Sequence, residues 1–205
     1  MEQRDVFPAG PGNGRGLSRA AIRAHFLAPA IGTRGNGTRE ADNIRAAVLV
    51  PLIERPHGWY VLLTLRSADL SDHAGQISFP GGRIEPEDPD AVHAALREAE
   101  EEVGLPTNHV EVVGRLDTWL TGTGFEITPV VGLVRPPESF APQPGEVAEV
   151  FEVPLDFVLD PGNHLRRSRE LRGELRSFFV LPYQHRNIWG ATAGMLVNLA
   201  EALTR

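Results

Sequence analysis

Residues 97–105 read Arg97-Glu98-Ala99-Glu100-Glu101-Glu102-Val103-Gly104-Leu105. They close the segment Asp90–Val103, which carries the clearest helical pattern in the chain. Asp90 is placed to cap the helix start, and Gly104 falls where a left-handed C-terminal cap is expected. On a helix, Glu98, Glu101 and Glu102 are spaced i, i+3 and i+4 and share one face. Val92, Ala95, Leu96, Ala99 and Val103 form an apolar stripe suited to packing on a sheet, and Glu100 points away from both. Carboxylates on adjacent turns repel one another by about 0.2–0.5 kcal/mol per close pair. A divalent cation turns that cost into a binding site. Oxygen ligands alone favour Mg2+ or Mn2+ over zinc. The plain alternative is a solvated acidic helix face. Two features stand against it. The glutamates gather at the C-terminal end, where the helix dipole disfavours negative charge. The helix also follows Gly81-Gly82, a turn of the kind that lets backbone approach a ligand closely.

Outward from this helix the chain alternates strand and turn. Ile44–Ile53 is apolar and β-branched and reads as a buried strand. Arg55-Pro56-His57-Gly58 reads as a turn, and Trp59–Leu65 as the returning strand. Gln76–Phe79 is a short strand running into Pro80-Gly81-Gly82. Val110–Leu120 and Phe125–Val134 read as two more strands, followed by a proline-rich loop from Pro136 to Pro144. Leu165–Leu171 and Ser177–Leu181 suit a hairpin turning at Arg172-Gly173-Glu174. A final helix is expected from about Ile188 to Leu203, with Ile188, Ala191, Met195, Leu196 and Leu199 as its apolar positions. At the other end, residues 1–16 are rich in Gly, Pro and Arg and read as a loose arm. Ser18 then opens a short helix with Ile22, Phe26 and Leu27 on one face, and Gly32–Asn43 is a polar lead-in. The expected fold is α/β, a mixed sheet covered by helices on both faces. Residues 1–43 form an arm with a short helix, and residues 44–205 the main domain.

Composition removes several classes of chemistry. With 205 residues the chain can bury one substantial core. It has no cysteine, which excludes disulfides, thiolate zinc sites and cysteine nucleophiles. All 20 basic residues are arginine, which excludes Schiff-base chemistry and a phosphate loop ending in Gly-Lys. A net charge of −7 argues against non-specific nucleic-acid binding. The longest apolar run, Ala46–Ile53, falls far below the roughly 20 residues of a membrane-spanning helix. The first residues carry no apolar run of signal-peptide type. No nucleic-acid or membrane partner is expected, and a cytoplasmic location is. A homodimer formed through the arm is compatible with the sequence and required by nothing in it.

Arg97–Leu105 resembles the core signature of Nudix hydrolases: Arg-Glu, a small residue, any residue, Glu-Glu, any residue, Gly, then an apolar residue. The upstream Gly81-Gly82 is also in place. One departure stands out, because Pro89 falls where a glutamate is usual. Aligning Gly82 instead requires one extra loop residue and offers Asp88 as the acidic substitute, a difference of loop shape more than of metal ligands. The resemblance implies a Nudix-type α/β/α sandwich and a cation-dependent enzyme that cleaves a nucleoside diphosphate linked to another moiety. It implies that Glu98, Glu101 and Glu102 hold Mg2+ or Mn2+, joined by the Gly82 carbonyl, while Arg97 orients the carboxylates. A further ligand or base often comes from a later loop, where Glu146 and Glu149 are candidates alongside their reading as ordinary surface glutamates.

A second stretch narrows the substrate. Leu62-Leu63-Thr64-Leu65-Arg66-Ser67 followed by Gly75-Gln76-Ile77-Ser78-Phe79-Pro80-Gly81-Gly82 is similar to the extra signature of the coenzyme A pyrophosphatase branch of that family. Arg66, Ser67, Gly75, Phe79 and Gly81 become the substrate-binding candidates by this resemblance. Ser71 stands where the signature has an arginine. Ile188-Trp189-Gly190-Ala191-Thr192-Ala193 resembles the end of the same branch. Read on its own terms, the upstream stretch is a strand and a buried loop with Phe79 as core.

Coenzyme A carries a 3′-phosphate as well as its diphosphate, so a recognition site needs cations beside the metal. Arg66 is one. Arg166, Arg167, Arg169 and Arg172 supply four more, and an arginine-laced exposed hairpin is the simpler account of that run. His73 is a candidate hydrogen-bond donor to the pyrophosphate and equally an ordinary loop histidine. The expected reaction is hydrolysis of coenzyme A or its derivatives to 3′,5′-ADP and 4′-phosphopantetheine or its acyl form. The first alternative keeps the chemistry and changes the substrate to ADP-ribose, a dinucleotide or a nucleoside triphosphate. The second is a catalytically silent binding module, disfavoured by the intact glutamates.

Overall fold

Eight consecutive residues, Ala46–Ile53, are buried in the computed structural model, which describes residues 16–28, 32–70, 73–171 and 174–205. A strand covered on both faces reads as a continuous apolar run, and this one is central. The chain opens with α1 (Arg19–His25), capped by Ser18 Oγ accepting the Ala21 amide at 3.1 Å, and β1 (Thr33–Gly35). The central strand is β2 (Ile44–Arg55), which turns into β3 (Gly58–Arg66); β4 (Ile77–Ser78) and β5 (Gly81–Arg83) follow. Then come α2 (Ala91–Val103), β6 (Val110–Arg115), β7 (Thr118–Leu120), β8 (Phe125–Val134) and β9 (Val147–Pro154). The last elements are α3 (Leu155–Leu159), β10 (Leu165–Leu171), β11 (Glu174–Tyr183), β12 (Arg186–Trp189) and α4 (Gly190–Leu203).

The main sheet is mixed, in the order β1-β7-β8-β2-β3-β4. β2 runs parallel to β8, from Ile44 opposite Phe125 to Ile53 opposite Val134. On its other edge it pairs antiparallel with β5 at Ala46–Val48 and with β3 from Leu52 to Arg55. Pro51, which has no amide proton to donate, lies in the gap between these two sets of partners. Alternation along β2 divides the core. Ala47, Leu49 and Ile53 pack under α2, with Leu62, Ala95, Ala99 and Val103. Val48, Val50 and Leu52 face the other side, where Met195, Leu196 and Leu199 of α4 cover them together with α3 and α1. The result is a mixed sheet between helical layers, the expected α/β/α sandwich. No helix among the described residues is long and apolar enough to cross a membrane.

Four expectations need correction. The stretch 110–120 is two strands, because the ladder to β8 shifts register between Val112 and Gly114 and the partner beyond Arg115 is Pro129, which offers no amide. The last helix begins at Gly190, not Ile188. Ile188 is buried in β12 opposite Leu181, and Gly190 turns the chain with φ of +68°. Leu27 is 84% exposed, while Ile22 and Phe26 are buried. Residues 1–43 are expected as an arm with a short helix; in the described parts of 16–43 the helix forms, but α1 packs into the core and β1 pairs with β7. The β10–β11 hairpin forms as expected, with Arg172 and Gly173 outside the described residues.

Candidate active site

The carboxylate helix is set close to the sheet by small side chains. Ala91, Ala94, Ala95 and Ala99 are all buried beneath it. Asp90 Oδ1 accepts the Val92 and His93 amides at 2.8 and 3.0 Å, and Gly104 ends the helix with φ of +66°. Each expected cap is therefore in place. This close docking brings Glu98 and Glu102 against the Gly81-Gly82 turn of β5.

Glu102 is 4% exposed, and its Oε2 accepts the Gly81 amide at 3.1 Å. Its Oε1 stands 3.7 Å from Arg66 Nη1. Burial pushes the Glu102 carboxyl up to about 7 against the pull of Gly81 and Arg66, and the charges of Glu98 and Glu146 add to the rise. Glu98 is raised for the same first reason, burial, opposed by Arg97 and reinforced by Glu101 and Glu146. The Glu98 carboxylate occupies the space that a Cβ at position 82 would need, so a side chain there would displace it. Glu101 differs. It is exposed, and its Oε2 accepts a hydrogen bond from Arg97 Nη1 at 3.0 Å.

Arg97 organises this cluster. Its Nη1 donates to Glu98 Oε1 and Glu101 Oε2, both at 3.0 Å, while Nε and Nη2 grip Asp88 at 3.1 and 2.9 Å. A fifth donation, again from Nη2, reaches the Arg83 carbonyl at 3.3 Å. Asp88 is held below the usual carboxylate range by the Arg97 hydrogen bonds, and its Oδ2 also accepts the Glu85 amide. The extra loop residue thus delivers an acid to the arginine, a partnership the sequence offered only as a substitution.

The upstream stretch falls on the same flank. Leu62 belongs to the core layer under α2, and alternation puts Thr64 and Arg66 on that face. A bulge against β9 lies between Leu65 and Arg66, the kind of irregularity that re-aims a side chain beside a site. Arg66 Nε is buried and has no hydrogen-bond partner among the described residues. Ser67 is itself buried; its amide donates to the Glu146 carbonyl at 2.8 Å and its Oγ accepts the Asp69 amide at 3.2 Å. Glu146 is thereby drawn toward Glu98 and Glu102, and Gln143 Nε2 donates to its Oε1 at 3.2 Å. Glu149 is not part of this group. It shares the face of Phe151, which packs on the α4 side, and is paired with Arg186.

Gly75 takes a left-handed φ of +67° in an exposed turn. Phe79 is 1% exposed in the core below the turn, so its ring supports Pro80-Gly81 and offers no surface to a ligand. His73 is exposed and bonded to Gln76 at 3.0 Å. Ser71 lies outside the described residues. A surface cavity of about 530 Å3 lined by Arg19, Arg55, Val134 and Arg135 lies at the far end of β2 and contains none of these groups.

The donor set fits a hard divalent cation in its chemistry. It is all oxygen, and two half- or fully buried carboxylates sit raised by burial beside a backbone turn. Among the described residues, no three acidic or histidine side chains are grouped so as to hold an ion as they lie, and Glu101 is exposed and paired with Arg97.

A model of the NUDIX domain matches residues 43–172, more than half of the chain. The Nudix hydrolase NudL of Cronobacter sakazakii is 40% identical over 184 residues, covering 90% of this chain and 93% of that protein. NudL of Escherichia coli (strain K12) is 43% identical over 163 residues, covering 79% and 84%. Among solved structures, a MutT/nudix family protein from Enterococcus faecalis is similar in fold, with a TM-score of 0.51 at 15% identity over 80% of this chain and 63% of that one. A carboxylate helix docked on a Gly-Gly turn, in a sandwich of this topology and with relatives alike along most of their length, leads to one assignment: the chain belongs to the Nudix hydrolase family.

Proposed function

We propose that this Nudix pyrophosphohydrolase acts on coenzyme A or its derivatives, releasing 3′,5′-ADP and 4′-phosphopantetheine or its acyl form. The observation that carries the reading is the position of Arg66. It lies within the upstream stretch that resembles the coenzyme A branch, it stands 3.7 Å from Glu102, and its Nε is buried without a hydrogen-bond partner among the described residues. A buried guanidinium nitrogen left unpaired is costly, and a phosphate oxygen would satisfy it.

In this reading Glu98, Glu101 and Glu102, with the Gly82 carbonyl, would hold Mg2+ or Mn2+. When bound, the cation would neutralise the pyrophosphate and lower the pKa of the attacking water. The rest falls to the chain's own groups. Arg97 fixes the Glu98 rotamer, Asp88 fixes Arg97, and Arg66 neutralises and orients the phosphate next to Glu102. A carboxylate of this set takes the proton of water as its oxygen bonds to phosphorus. The bridging P–O bond breaks, and its electron pair leaves on the departing phosphate. Glu146, supported by Gln143, is the loop carboxylate closest in effect to this group.

The test is incubation with coenzyme A and either Mg2+ or Mn2+, with products read by mass spectrometry beside Glu102→Gln. ADP-ribose, a dinucleotide and a nucleoside triphosphate are run in parallel. Appearance of 3′,5′-ADP with the native chain and not the variant is the expected result. Faster turnover of any panel member than of coenzyme A overturns the substrate while keeping the reaction class.

A further inference from the structure

The three-stranded sheet formed by β10, β11 and β12 has one face on the core, where Leu181, Tyr183 and Ile188 are buried. Alternation collects Arg167, Arg169, Arg176, Phe178 and Trp189 on its other face. Arg167 stands opposite Phe178, Arg169 opposite Arg176, and Trp189 opposite Val180. Phe178 and Trp189 meet edge to face with centroids 6.0 Å apart, and Trp189 is 46% exposed. Arg167 and Arg169 are exposed, and among the described residues neither has a carboxylate partner. In a chain of net charge −7, residues 166–176 hold five of the 20 arginines.

Arg176 ties this face to the edge that carries the site. Its Nη1 lies 2.7 Å from the point a Gly122 Cβ would take. Gly122 belongs to the turn that enters β8, whose first residue, Phe125, lies 6.0 Å beneath the Arg83 guanidinium. Arg83 directly follows Gly82. From the other side, Thr192, just past β12, donates to the Ile77 carbonyl at 2.9 Å, and β4 leads straight into Pro80-Gly81-Gly82.

We infer that this face seats the phosphorylated nucleoside half of the substrate. The exposed indole takes the purine by stacking, which any base face permits. Arg167 and Arg169 take a phosphate remote from the cleaved linkage, a task suited to the planar guanidinium fork. The inference draws its ligand from the coenzyme A reading and its location from the sheet alone.

The experiment is calorimetric titration of the metal-free full chain with 3′,5′-ADP and with 5′-AMP, repeated on Arg167→Ala/Arg169→Ala and on Trp189→Ala. Thermal melts confirm that these surface variants are folded. Preference for 3′,5′-ADP by about tenfold or more is expected, as for charge-assisted hydrogen bonds. The double arginine variant loses that preference, its lysine counterpart restores part of it, and Trp189→Ala weakens both ligands. Equal binding of the two nucleotides, no binding of either, or a preference unchanged in the arginine variant overturns the inference. The two readings fail separately. Coenzyme A left uncleaved while the arginine-dependent preference persists removes the substrate alone. Coenzyme A cleaved with a KM that the arginine variant does not raise removes the surface alone.

Discussion

The Gly81 amide donates to Glu102 Oε2 at 3.1 Å, so the most buried acid of the carboxylate helix is anchored to the backbone of the turn it faces. Glu102→Gln keeps an acceptor for that amide and removes the buried charge. Turnover is expected to fall by at least about 100-fold, the scale on which loss of one electrostatic partner acts in a transition state. The melting temperature of the metal-free protein should hold or rise. A steady-state assay beside a thermal melt checks both, and near-native turnover would remove Glu102 from the site.

Asp88 touches no substrate in this arrangement, yet it holds the two arginine nitrogens that Glu98 and Glu101 leave free. Asp88→Asn should lower activity by roughly 10- to 100-fold, as changes behind metal ligands do. The loss should appear chiefly as a higher Mg2+ requirement in a metal titration of the rate.

Gly82→Ala forces a methyl group into the Glu98 carboxylate. The carboxylate swings away while the core beneath is untouched. Turnover should drop by about 100-fold, the cost of a displacement near 1 Å, with a near-native melting temperature. Kinetics and a thermal melt on one preparation decide it.

Gly194 lies under the Trp119 ring on α4. Helix propensity alone favours alanine by about 1 kcal/mol. Overpacking a buried contact costs about 1–3 kcal/mol, and here backbone and ring are both held. Gly194→Ala should therefore destabilise, measured by denaturant unfolding.

Asp117, remote from the site, contributes to acid sensitivity. Burial pushes its carboxyl up, but the hydrogen bonds from Arg34, Gly32 and Asn198 outweigh that and hold it below the ordinary value. A depressed folded pKa stabilises above the unfolded value, about 3.9, and that contribution is lost as pH falls below it. Melting temperature followed downward from about pH 5 should decline less steeply in Asp117→Asn than in the native chain.

Much of this architecture is legible in local pattern. The caps Asp90 and Gly104, the central run Ala46–Ile53 and the Gly81-Gly82 turn each announce themselves through spacing or a residue type with one use. What escapes the pattern depends on docking. Glu101 and Glu102 are neighbours on one helix, and only the position of the sheet buries one and leaves the other in water. Glu146 and Glu149 look alike in sequence, and strand alternation sends Glu149 to Arg186 on the far face. Asp88 finds Arg97 through a loop whose path no periodicity encodes. The break in 110–120 had a visible cause in Pro129, but its effect needs the pairing partner.

The parallel ladder of β2 with β8 joins segments on either side of the whole carboxylate helix. During synthesis β2 therefore emerges long before the strand that covers one of its edges, and such long-range pairing is slow to form. An uncharged, β-branched run waiting in that state is prone to pair with copies of itself. Pro51 stands inside it, at a position where the finished sheet requires no amide. The same residue that marks the change of partners in the native sheet thus interrupts, in the nascent chain, the run best suited to such pairing.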